Sequence, residues 1–446
     1  MIQGRRRLAI KISLFLIFTI TAFYFYDTAE TNKSKSRLFQ SGSNDYDRKK
    51  VSSIISDKVL KAEFPPELQL DSEPGKAKKT YKLSYTLRSD LQEYSAELLN
   101  RYRPDYAAIV LMNAETGEIL AMSSFDKYDK YGTNLALKAS YPAASIFKVI
   151  TAATAVDKAG VTPDHRIAFN GGNYTLYKKN VLSDHVNRWT RIITLRDAFA
   201  KSINTAFGRL SLEKLEPEDL NNYANRFLFN QEINSDFHVD RSVASVPSEK
   251  GYELTEVASG YNRFNTLSPV HGALIASTII NEGKMPTPFL VRNLTDEYGT
   301  VLYSGEELSK LEIPRQIISS KSAAKMKQLM EQTVLAGTSR KSFRHLVRDR
   351  KFRDIEMGGK TGHFTGTDPQ GRTDWFVGYA SDDEDRIAIV AITVNIQKWT
   401  VKSSALGEMM FRRYFKEKIE ERLAQERRLK ETETKLTSTH HESNEN

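Results

Sequence analysis

Ser145 and Lys148 stand three residues apart at the start of an apolar run that reaches Ala159 and stops at Gly160. Residues three apart lie on one face of a helix, so a helix that begins near Ser145 places the lysine amine within reach of the serine hydroxyl. A hydroxyl beside an amine that can take its proton is a nucleophile with its base. Because residues 149–156 are apolar on nearly every side, we expect a buried helix, and burial favours a neutral lysine.

A polar break in a second helical stretch supplies the next candidates, Ser202 and Asn204. Thr194 can cap the helix that leads to them. Ser, Thr and Asn side chains bond to nearby backbone groups and disfavour an unbroken helix. We therefore expect two helices with residues 202–204 at the joint, where polar side chains face a cleft. Taken alone, the same residues are explained by an ordinary cap of the second helix.

Lys360, Thr361 and Gly362 follow two glycines in a segment that predicts a strand over residues 357–364. The chain thus contains Ser-x-x-Lys, Ser-x-Asn and Lys-Thr-Gly in that order, a combination typical of serine enzymes that form an acyl intermediate. A nucleotide-binding loop is a rival explanation of Gly-Lys-Thr. That loop requires a glycine where this chain has Asp354, so the match fails.

The surrounding pattern predicts the elements that must bring these residues together. Two apolar runs joined by a turn predict a hairpin, and three more strands are predicted towards the end of the chain. They form a five-stranded antiparallel sheet in a mixed α/β (α+β) fold, with strands over residues 107–112, 118–124, 357–364, 373–380 and 386–395. A helix that starts at Asp90 and a last helix over residues 403–415 are expected to cover this sheet.

Composition limits the classes of function. The chain has 446 residues, 40% hydrophobic and 27% charged, which is enough for a large core plus extra segments. The absence of cysteine excludes disulfides, thiolate metal sites and cysteine catalysis. The net charge of +9 is spread along the chain without a stripe for nucleic acid, and the basic residues 340–353 predict a solvated loop. His271, His345 and His363 lack paired spacing, so we expect no metal or other cofactor.

The N-terminus predicts a membrane anchor. Three arginines at residues 5–7 precede an apolar run over residues 12–26, which approaches the length of about 20 residues that spans a bilayer. Because the positive flank comes first, we expect residues 1–27 to be a cytoplasmic stub and a single-pass anchor in the inner membrane. A cleaved signal peptide is the alternative. Either way, the catalytic part is expected to be extracytoplasmic, in the periplasm.

The rest of the chain divides by composition. Residues 28–80 are rich in Ser, Lys, Asp and Pro and predict a polar linker with room for one small helix. The folded domain is predicted over residues 81–416. Charges dominate residues 417–446, which predicts a fraying helix followed by a disordered tail.

The three motifs resemble those of penicillin-binding proteins, a family of penicillin-recognising serine acyltransferases. The resemblance runs from about Tyr81 to Phe415 and includes the phrases at residues 117–122, 193–198 and 374–379. It corresponds to a minimal, class B-like transpeptidase domain behind a single-pass anchor. It implies a β-lactamase/transpeptidase-like fold with an all-helical subdomain beside the sheet.

The resemblance also implies a mechanism. Ser145 would attack the carbonyl of a D-Ala-D-Ala stem peptide and form an acyl-enzyme while Lys148 takes its proton. The backbone N–H groups of Ser145 and His363 would form the oxyanion hole. The catalytic residues implied are Ser145, Lys148, Ser202, Asn204 and Lys360, and the substrate-binding residues are Thr361, Gly362 and His363.

The implied function is that of a membrane-anchored D,D-transpeptidase of peptidoglycan. Its partners would be stem peptides, β-lactams as covalent inhibitors, and a glycan polymerase or cell-wall assembly proteins, with no nucleic acid. A D,D-carboxypeptidase, in which water replaces the acceptor amine, shares every motif. A β-lactamase would need a water-activating glutamate, which residues 161–180 lack. A non-catalytic β-lactam sensor or wall-assembly scaffold would use the fold as a binding module.

Two positions depart from the family pattern. Many members have Thr or Ser directly after Lys-Thr-Gly, where this chain has His363. Only the backbone of that residue serves the oxyanion, so we expect acylation to survive and substrate choice to differ. The glycine- and glutamine-rich phrase usual before the Ser268 helix is replaced here by residues 259–263.

Overall fold

The computed structural model describes residues 46–70, 78–128, 132–367 and 370–442. The α-helices are α1 Arg48–Leu60, α2 Ser89–Tyr102, α3 Lys148–Asp157, α4 Lys178–Val181, α5 Leu195–Ala200, α6 Asn204–Lys214, α7 Pro217–Arg226, α8 Tyr252–Ser259, α9 Pro269–Ile280, α10 Gly305–Leu311, α11 Ser320–Leu335, α12 Arg340–Arg348 and α13 Ser403–Glu442. The strands are β1 Glu67–Leu70, β2 Lys79–Tyr85, β3 Tyr106–Asn113, β4 Ile119–Asp126, β5 Tyr141–Pro142, β6 Arg166–Phe169, β7 Arg191–Thr194, β8 Thr266–Leu267, β9 Lys284–Met285, β10 Val291–Thr295, β11 Val301–Ser304, β12 Arg315–Gln316, β13 Glu356–Thr367, β14 Gln370–Ser381 and β15 Arg386–Asn395.

The predicted five-stranded antiparallel sheet is confirmed, with the order β13-β14-β15-β3-β4. It joins the two ends of the domain where β15 pairs with β3, with Val390 opposite Val110. Successive side chains of a strand point to opposite faces, and in β3 both Ile109 and Val110 are fully buried. Both faces of the sheet are therefore covered, which explains why its central strands read as continuous apolar runs.

The sheet lies between two helical layers. On one face, α2, α12 and α13 contribute Leu98, Phe343 and Phe411 to the same core cluster as Ile109. The prediction that the Asp90 helix and the last helix cover the sheet is correct for this face. On the other face lies α9, a helix whose residues are all buried, and the core there extends to α3, which carries the candidate base.

Helices α3 to α8 occupy the chain between β4 and α9, and α6 packs against both α3 and α8. This is the subdomain that the resemblance implied to be all-helical. It also contains a short antiparallel hairpin of β6 and β7, in which Ile167 pairs with Ile193. Its second strand, β7, leads directly into α5, which ends at the predicted joint.

In the described part of the expected polar linker over residues 28–80, the one small helix that the prediction allowed for is present as α1, but the segment packs on the domain and is not a linker there. Helix α1 buries Val51 and Ile55 completely, and β1 pairs with β2 in a second, four-stranded sheet of order β1-β2-β10-β11. The folded part therefore begins before Tyr81. The apolar residues of α1 are separated by Ser, Lys and Asp, so composition allows for a short helix but does not show that it packs on the domain, which is what stabilises it.

A buried arginine fixes α1 to the rest of the molecule. Arg48 is 5% exposed and forms an ion pair of 3.1 Å with Glu312, just after α10. Its guanidinium also lies 3.4 Å from the hydroxyl of Tyr303 on β11. These contacts reach over more than 250 positions of the chain.

Two charged segments contain more helix than the sequence predicted. The tail predicted over residues 417–446 continues α13 to Glu442, and residues 443–446 lie outside the described part. Lys418 joins this helix to Asp382 and Asp385 in the turn before β15. The basic stretch over residues 340–353, expected as a loop, forms α12, in which two buried apolar side chains three residues apart face the core.

The predicted membrane anchor, residues 1–27, lies outside the described residues. Within residues 46–70, 78–128, 132–367 and 370–442, no helix has both the length and the apolar character needed to cross a bilayer.

Candidate active site

Ser145 and Lys148 meet as their spacing predicts. Ser145 lies in the 3₁₀ turn Ala144–Phe147, and Lys148 is the first residue of α3. Lys148 is completely buried, and its Nζ lies 2.8 Å from Ser145 Oγ. Ala144 has φ of 48°, a left-handed conformation that is costly for a residue with a Cβ. The surrounding packing therefore holds this turn in a conformation that the sequence alone would not adopt.

The contacts of Lys148 leave a lone pair for the serine. Its Nζ lies 2.7 Å from Asn204 Oδ1 and also contacts the carbonyl oxygen of Ser259. Both oxygens can only accept hydrogen bonds. A neutral amine has two N–H groups, so these two oxygens use both of them and the Ser145 hydroxyl can donate to the nitrogen. This is the geometry that proton transfer from serine to lysine requires.

Burial keeps both lysines of the site from holding a proton tightly. Loss of hydration lowers the pKa of Lys148 well below its ordinary value, and the charge of Lys360 lowers it further. Burial also lowers the pKa of Lys360 to about 7. No carboxylate in the described part of the chain acts on either amine.

The predicted joint between two helices is confirmed: α5 ends at Ala200 and α6 begins at Asn204. Ser202 lies between them with φ of 55°, and its Oγ accepts a hydrogen bond of 2.8 Å from Lys360 Nζ. Asn204 is the first residue of α6 and donates from Nδ2 to the carbonyl oxygen of Tyr174 at 2.9 Å. The joint thus connects the two lysines, because Ser202 contacts one and Asn204 contacts the other.

Strand β13 is an edge strand, and it passes the nucleophile turn. A Cβ added to Gly362 would lie 3.2 Å from Ile146 Cγ1 and 3.4 Å from the Ile146 backbone nitrogen. Lys360, two residues earlier, lies on the same face of the strand. Thr361 lies on the other face, where its Oγ1 is 2.5 Å from Thr338 Oγ1. The backbone N–H groups implied for an oxyanion hole therefore belong to two segments that lie side by side.

His363 is half-exposed, and its imidazole contacts a carboxylate rather than Ser145 or a lysine. Its Nε2 lies 2.7 Å from Oδ1 of the buried Asp374 on β14. The other oxygen of Asp374 accepts a hydrogen bond of 2.7 Å from the backbone nitrogen of Ser403, the first residue of α13. The ring also lies beside Trp399, with centroids 6.1 Å apart. One buried carboxylate therefore orients this imidazole and caps the last helix.

The structure brings the side chains of Ser145, Lys148, Ser202, Asn204 and Lys360 together, with Gly362 against the nucleophile turn, whereas the side chains of Thr361 and His363 contact Thr338 and Asp374. It also adds contacts that sequence reasoning missed. The carbonyl oxygen of Ser259 contacts Lys148, the hydroxyl of Thr338 contacts Thr361, and the carboxylate of Asp374 contacts His363. Gly260 has φ of 64°, and a Cβ there would lie 1.9 Å from the carbonyl oxygen of the residue before Ser145. A glycine inside the departing phrase at residues 259–263 was the available signal, because a close backbone approach requires that residue.

Comparison with known proteins is consistent with this geometry. Residues 107–415 match the family model described as the penicillin binding protein transpeptidase domain. Stage V sporulation protein D of Bacillus subtilis is 25% identical over 279 residues, which is 59% of this chain and 40% of that protein. Peptidoglycan D,D-transpeptidase PbpA of Mycobacterium tuberculosis is 26% identical over 336 residues, 66% of this chain and 63% of that protein. The chain thus matches less than two thirds of the length of either relative.

Solved structures share the fold at lower identity. The D,D-transpeptidase domain of a peptidoglycan glycosyltransferase from Eggerthella lenta has a TM-score of 0.60 and 21% identity, with 78% of this chain and 85% of that chain covered. The imipenem acyl-enzyme complex of penicillin-binding protein A from M. tuberculosis has a TM-score of 0.61 and 21% identity, with 77% and 81% covered. These likenesses support the β-lactamase/transpeptidase-like fold expected from the motifs.

Proposed function

The chain belongs to the penicillin-binding protein transpeptidase domain family, and from this premise we propose that it is a D,D-transpeptidase acting on peptidoglycan stem peptides. In the proposed reaction, Ser145 Oγ attacks the carbonyl carbon of the D-Ala-D-Ala bond, D-alanine leaves, and an ester to Ser145 remains. An amine of a second stem peptide then attacks that ester and frees the hydroxyl. One amide bond replaces another, so the reaction balances without a cofactor.

One observation carries this proposal: a buried amine whose pKa is lowered lies 2.8 Å from the serine hydroxyl. Such an amine can take the hydroxyl proton as the nucleophile attacks. The proton must then pass from Lys148 to the nitrogen of the leaving D-alanine. We assign this transfer to the polar groups around Lys148. Asn204 contacts Lys148, and Ser202 contacts Lys360, so both lie beside the path between the two lysines.

We assign the substrate's terminal carboxylate to Lys360 and the adjoining residues Thr361, Gly362 and His363. Burial lowers the pKa of Lys360 to about 7, so the amine is partly neutral at neutral pH, and an arriving negative charge raises this pKa again. A carboxylate beside it favours the ammonium form and gains a charge-assisted hydrogen bond. The developing oxyanion is assigned to the N–H groups of Ser145 and His363.

A transpeptidase and a D,D-carboxypeptidase differ in the molecule that attacks the acyl-enzyme. An amine acceptor gives a cross-linked product, whereas water gives only a trimmed peptide. We infer the transpeptidase form because the curated relative matched over 336 residues carries that activity in its name. Purified protein incubated with a stem peptide and an amine acceptor should give the cross-linked product. Trimmed peptide alone, at every acceptor concentration, would assign the carboxypeptidase form instead.

Mass spectrometry after exposure to penicillin tests the shared acyl-enzyme step. Wild type should gain one penicillin mass on the peptide that contains Ser145 and lose it slowly, and Ser145→Ala should gain none. Equal labelling of wild type and variant would contradict the assignment of the nucleophile. Rapid loss of the adduct with repeated turnover would indicate a β-lactamase, and no adduct at all would favour a non-catalytic sensor or scaffold.

We also propose that residues 1–27 anchor the protein in the inner membrane with the catalytic domain in the periplasm, where stem peptides and a polymerase partner would be met. The arginines at residues 5–7 before the apolar run over residues 12–26 support this orientation. Protease added to intact spheroplasts should cleave the domain. Complete protection until the membrane is lysed would contradict the proposal.

A further inference from the structure

Large apolar side chains are exposed together in the segment that follows β6 and ends in β7. Residues 170–192, named the lobe, hold six of the 16 large apolar side chains that are exposed in the described part of the chain. Each is between 38% and 72% exposed: Tyr174, Tyr177, Leu182, Val186, Trp189 and Ile192. Single exposed apolar residues are ordinary, but a concentration of them indicates a binding surface.

The lobe is a folded unit attached to the helical subdomain. The side chain of Asn170 holds the returning chain, because its Nδ2 donates to the carbonyl oxygen of His185 at 3.0 Å and its Oδ1 accepts from the Thr190 hydroxyl at 2.8 Å. Leu176 and Val181 are buried and pack against α6. Two apolar side chains of the lobe thus fix it to the domain, while six others remain on its surface.

The lobe is also basic. It contains two lysines and two arginines but only one acid, Asp184. Lys178 and Lys179 are exposed at the start of α4, and the guanidinium of Arg188 lies over the Trp189 ring at 4.8 Å. None of the four cations forms an ion pair with a carboxylate of the described residues. Aromatic and aliphatic side chains beside unpaired cations are complementary to an anionic bilayer, where rings lie at the headgroups and cations attract phosphates.

The chain before the domain brings this surface close to a bilayer. With residues 1–27 as the proposed anchor, residues 28–45 are the connection to the first residue that the structure describes. A tether this short makes contact between the domain and the membrane an intramolecular event. Such a contact needs less attraction than binding from solution.

The lobe is bonded directly to the active site. The backbone nitrogen of Asn204 donates to the carbonyl oxygen of Asn173 at 2.8 Å, and its side chain donates to that of Tyr174 at 2.9 Å. The hydroxyl of Thr205 donates to the carbonyl oxygen of Gly172 at 2.6 Å. When the lobe lies on a surface, the catalytic cleft is therefore held beside that surface.

We propose that the lobe docks on an anionic bilayer, with its exposed rings among the lipid headgroups and its four cations against lipid phosphates. Docking gives the active site a fixed orientation at the membrane, which the tether alone does not. The inference uses the proposed anchor and is independent of the acylation chemistry. Sugar rings also stack on aromatic side chains, so a glycan strand is the alternative occupant. The unpaired cations and the short tether favour the bilayer.

Because the chain has no cysteine, a single fluorescent label tests the proposal. Val186→Cys places the label in the lobe, and Ile313→Cys places it at an exposed control position after α10. Each labelled full chain is reconstituted in vesicles of phosphatidylcholine and phosphatidylglycerol with nitroxide-labelled lipids. We expect the nitroxide to quench about half of the fluorescence or more at position 186 and little at position 313, because an interfacial group lies about 5–10 Å into the headgroup boundary.

Removal of charge on either side should weaken docking. Quenching at position 186 should fall in vesicles of phosphatidylcholine alone. Lys178→Gln/Lys179→Gln should lower the ratio of docked to free domain, obtained from the quenched fraction, by about thirtyfold, since each cation at an anionic surface contributes a factor of about five. The matched control Lys49→Gln/Lys50→Gln removes two exposed lysines from α1. It should change the ratio by less than about twofold, because surface attraction falls off within a Debye length.

Penicillin labelling of the same samples checks that each variant is folded and separates the possible failures. If Ser145 is labelled and position 186 is not quenched, docking is wrong and the proposed acylation stands. If Ser145 is not labelled in the wild type, the proposed function fails, and quenching still decides docking. Equal quenching at positions 186 and 313 would contradict the inference. So would a label at position 186 that responds to purified glycan strands and not to lipid. A chain that does not float with the vesicles would overturn both the anchor and the docking.

Discussion

Asn204→Asp tests whether Lys148 acts as a neutral base. The substitution keeps the size of the side chain and replaces the amide oxygen, 2.7 Å from Lys148 Nζ, with a carboxylate oxygen. In the wild type, burial lowers the pKa of Lys148. A nearby negative charge favours the ammonium and raises that pKa again. Because an ammonium cannot take the proton of Ser145, acylation should slow at neutral pH and recover as the pH rises.

The size of the effect follows from the separation of the two groups. At 2.7 Å and an effective dielectric constant of about 20, the Coulomb attraction is about 6 kcal/mol. Removing the new carboxylate from water offsets several kcal/mol of this attraction. A remainder of about 3 kcal/mol shifts the protonation equilibrium of Lys148 by about a hundredfold towards the ammonium. We therefore expect acylation at pH 7 to slow by up to about a hundredfold.

The assay is the second-order rate of acylation by a fluorescent penicillin, measured from pH 6 to pH 10. Asn222→Asp is the matched control, because it adds the same charge at an exposed position on α7. The control should follow the wild-type profile within about twofold. Circular dichroism of both variants checks that they are folded.

Two results would refute the reasoning. If Asn204→Asp acylates at the wild-type rate with an unchanged pH profile, the charge state of Lys148 does not limit the reaction. If the rate falls by the same factor at every pH, Asn204 positions groups without adjusting the protonation of Lys148. Only a loss that shrinks towards alkaline pH supports a neutral lysine as the base.

Three further predictions concern the supports of the site. Gly260→Ala should slow penicillin acylation at least about tenfold, because the new Cβ would lie 1.9 Å from a carbonyl oxygen next to the nucleophile. Arg48→Met should lower the free energy of unfolding by about 2 kcal/mol in a urea titration, since Glu312 loses its 3.1 Å partner. His363→Thr should keep penicillin acylation within about threefold, because only the backbone is needed. It should lower the melting temperature by about 2 °C, since the buried Asp374 loses a contact.

Each of these predictions has an outcome that contradicts it. Normal acylation by Gly260→Ala would mean that the contact with the nucleophile turn is not needed for its shape. An unchanged urea midpoint in Arg48→Met would mean that α1 does not stabilise the domain. A loss of acylation in His363→Thr larger than tenfold would give the imidazole a direct part in the reaction.

The sheet and the motif residues could be predicted because their signals are local. Apolar runs bounded by turns gave the five strands, and β15 agrees with its predicted bounds. The spacing of Ser145 and Lys148 gave their contact, since three residues of helix fix it. The order of the strands was not predicted, because it depends on the pairing of β15 with the distant β3.

The parts that were missed depend on contacts between distant segments. A small helix was allowed for in the segment of α1, but its packing on the domain depends on Glu312 and on the second sheet. Ser259 contributes a carbonyl oxygen, which every residue type carries, so no side chain marks it. Asp374 was noticed as part of a phrase, but its pairing with His363 across two neighbouring strands needed the register of β13 and β14.

Under the proposed membrane anchor, the packing of α1 limits how far the domain can lie from the bilayer. With residues 1–27 as that anchor, only residues 28–45 separate the bilayer from the first residue that the structure describes, instead of residues 28–80. An extended chain spans at most about 3.6 Å per residue, so the tether's greatest span falls from about 190 Å to about 65 Å. Cross-linking would then be confined to the newest glycan, nearest the membrane surface.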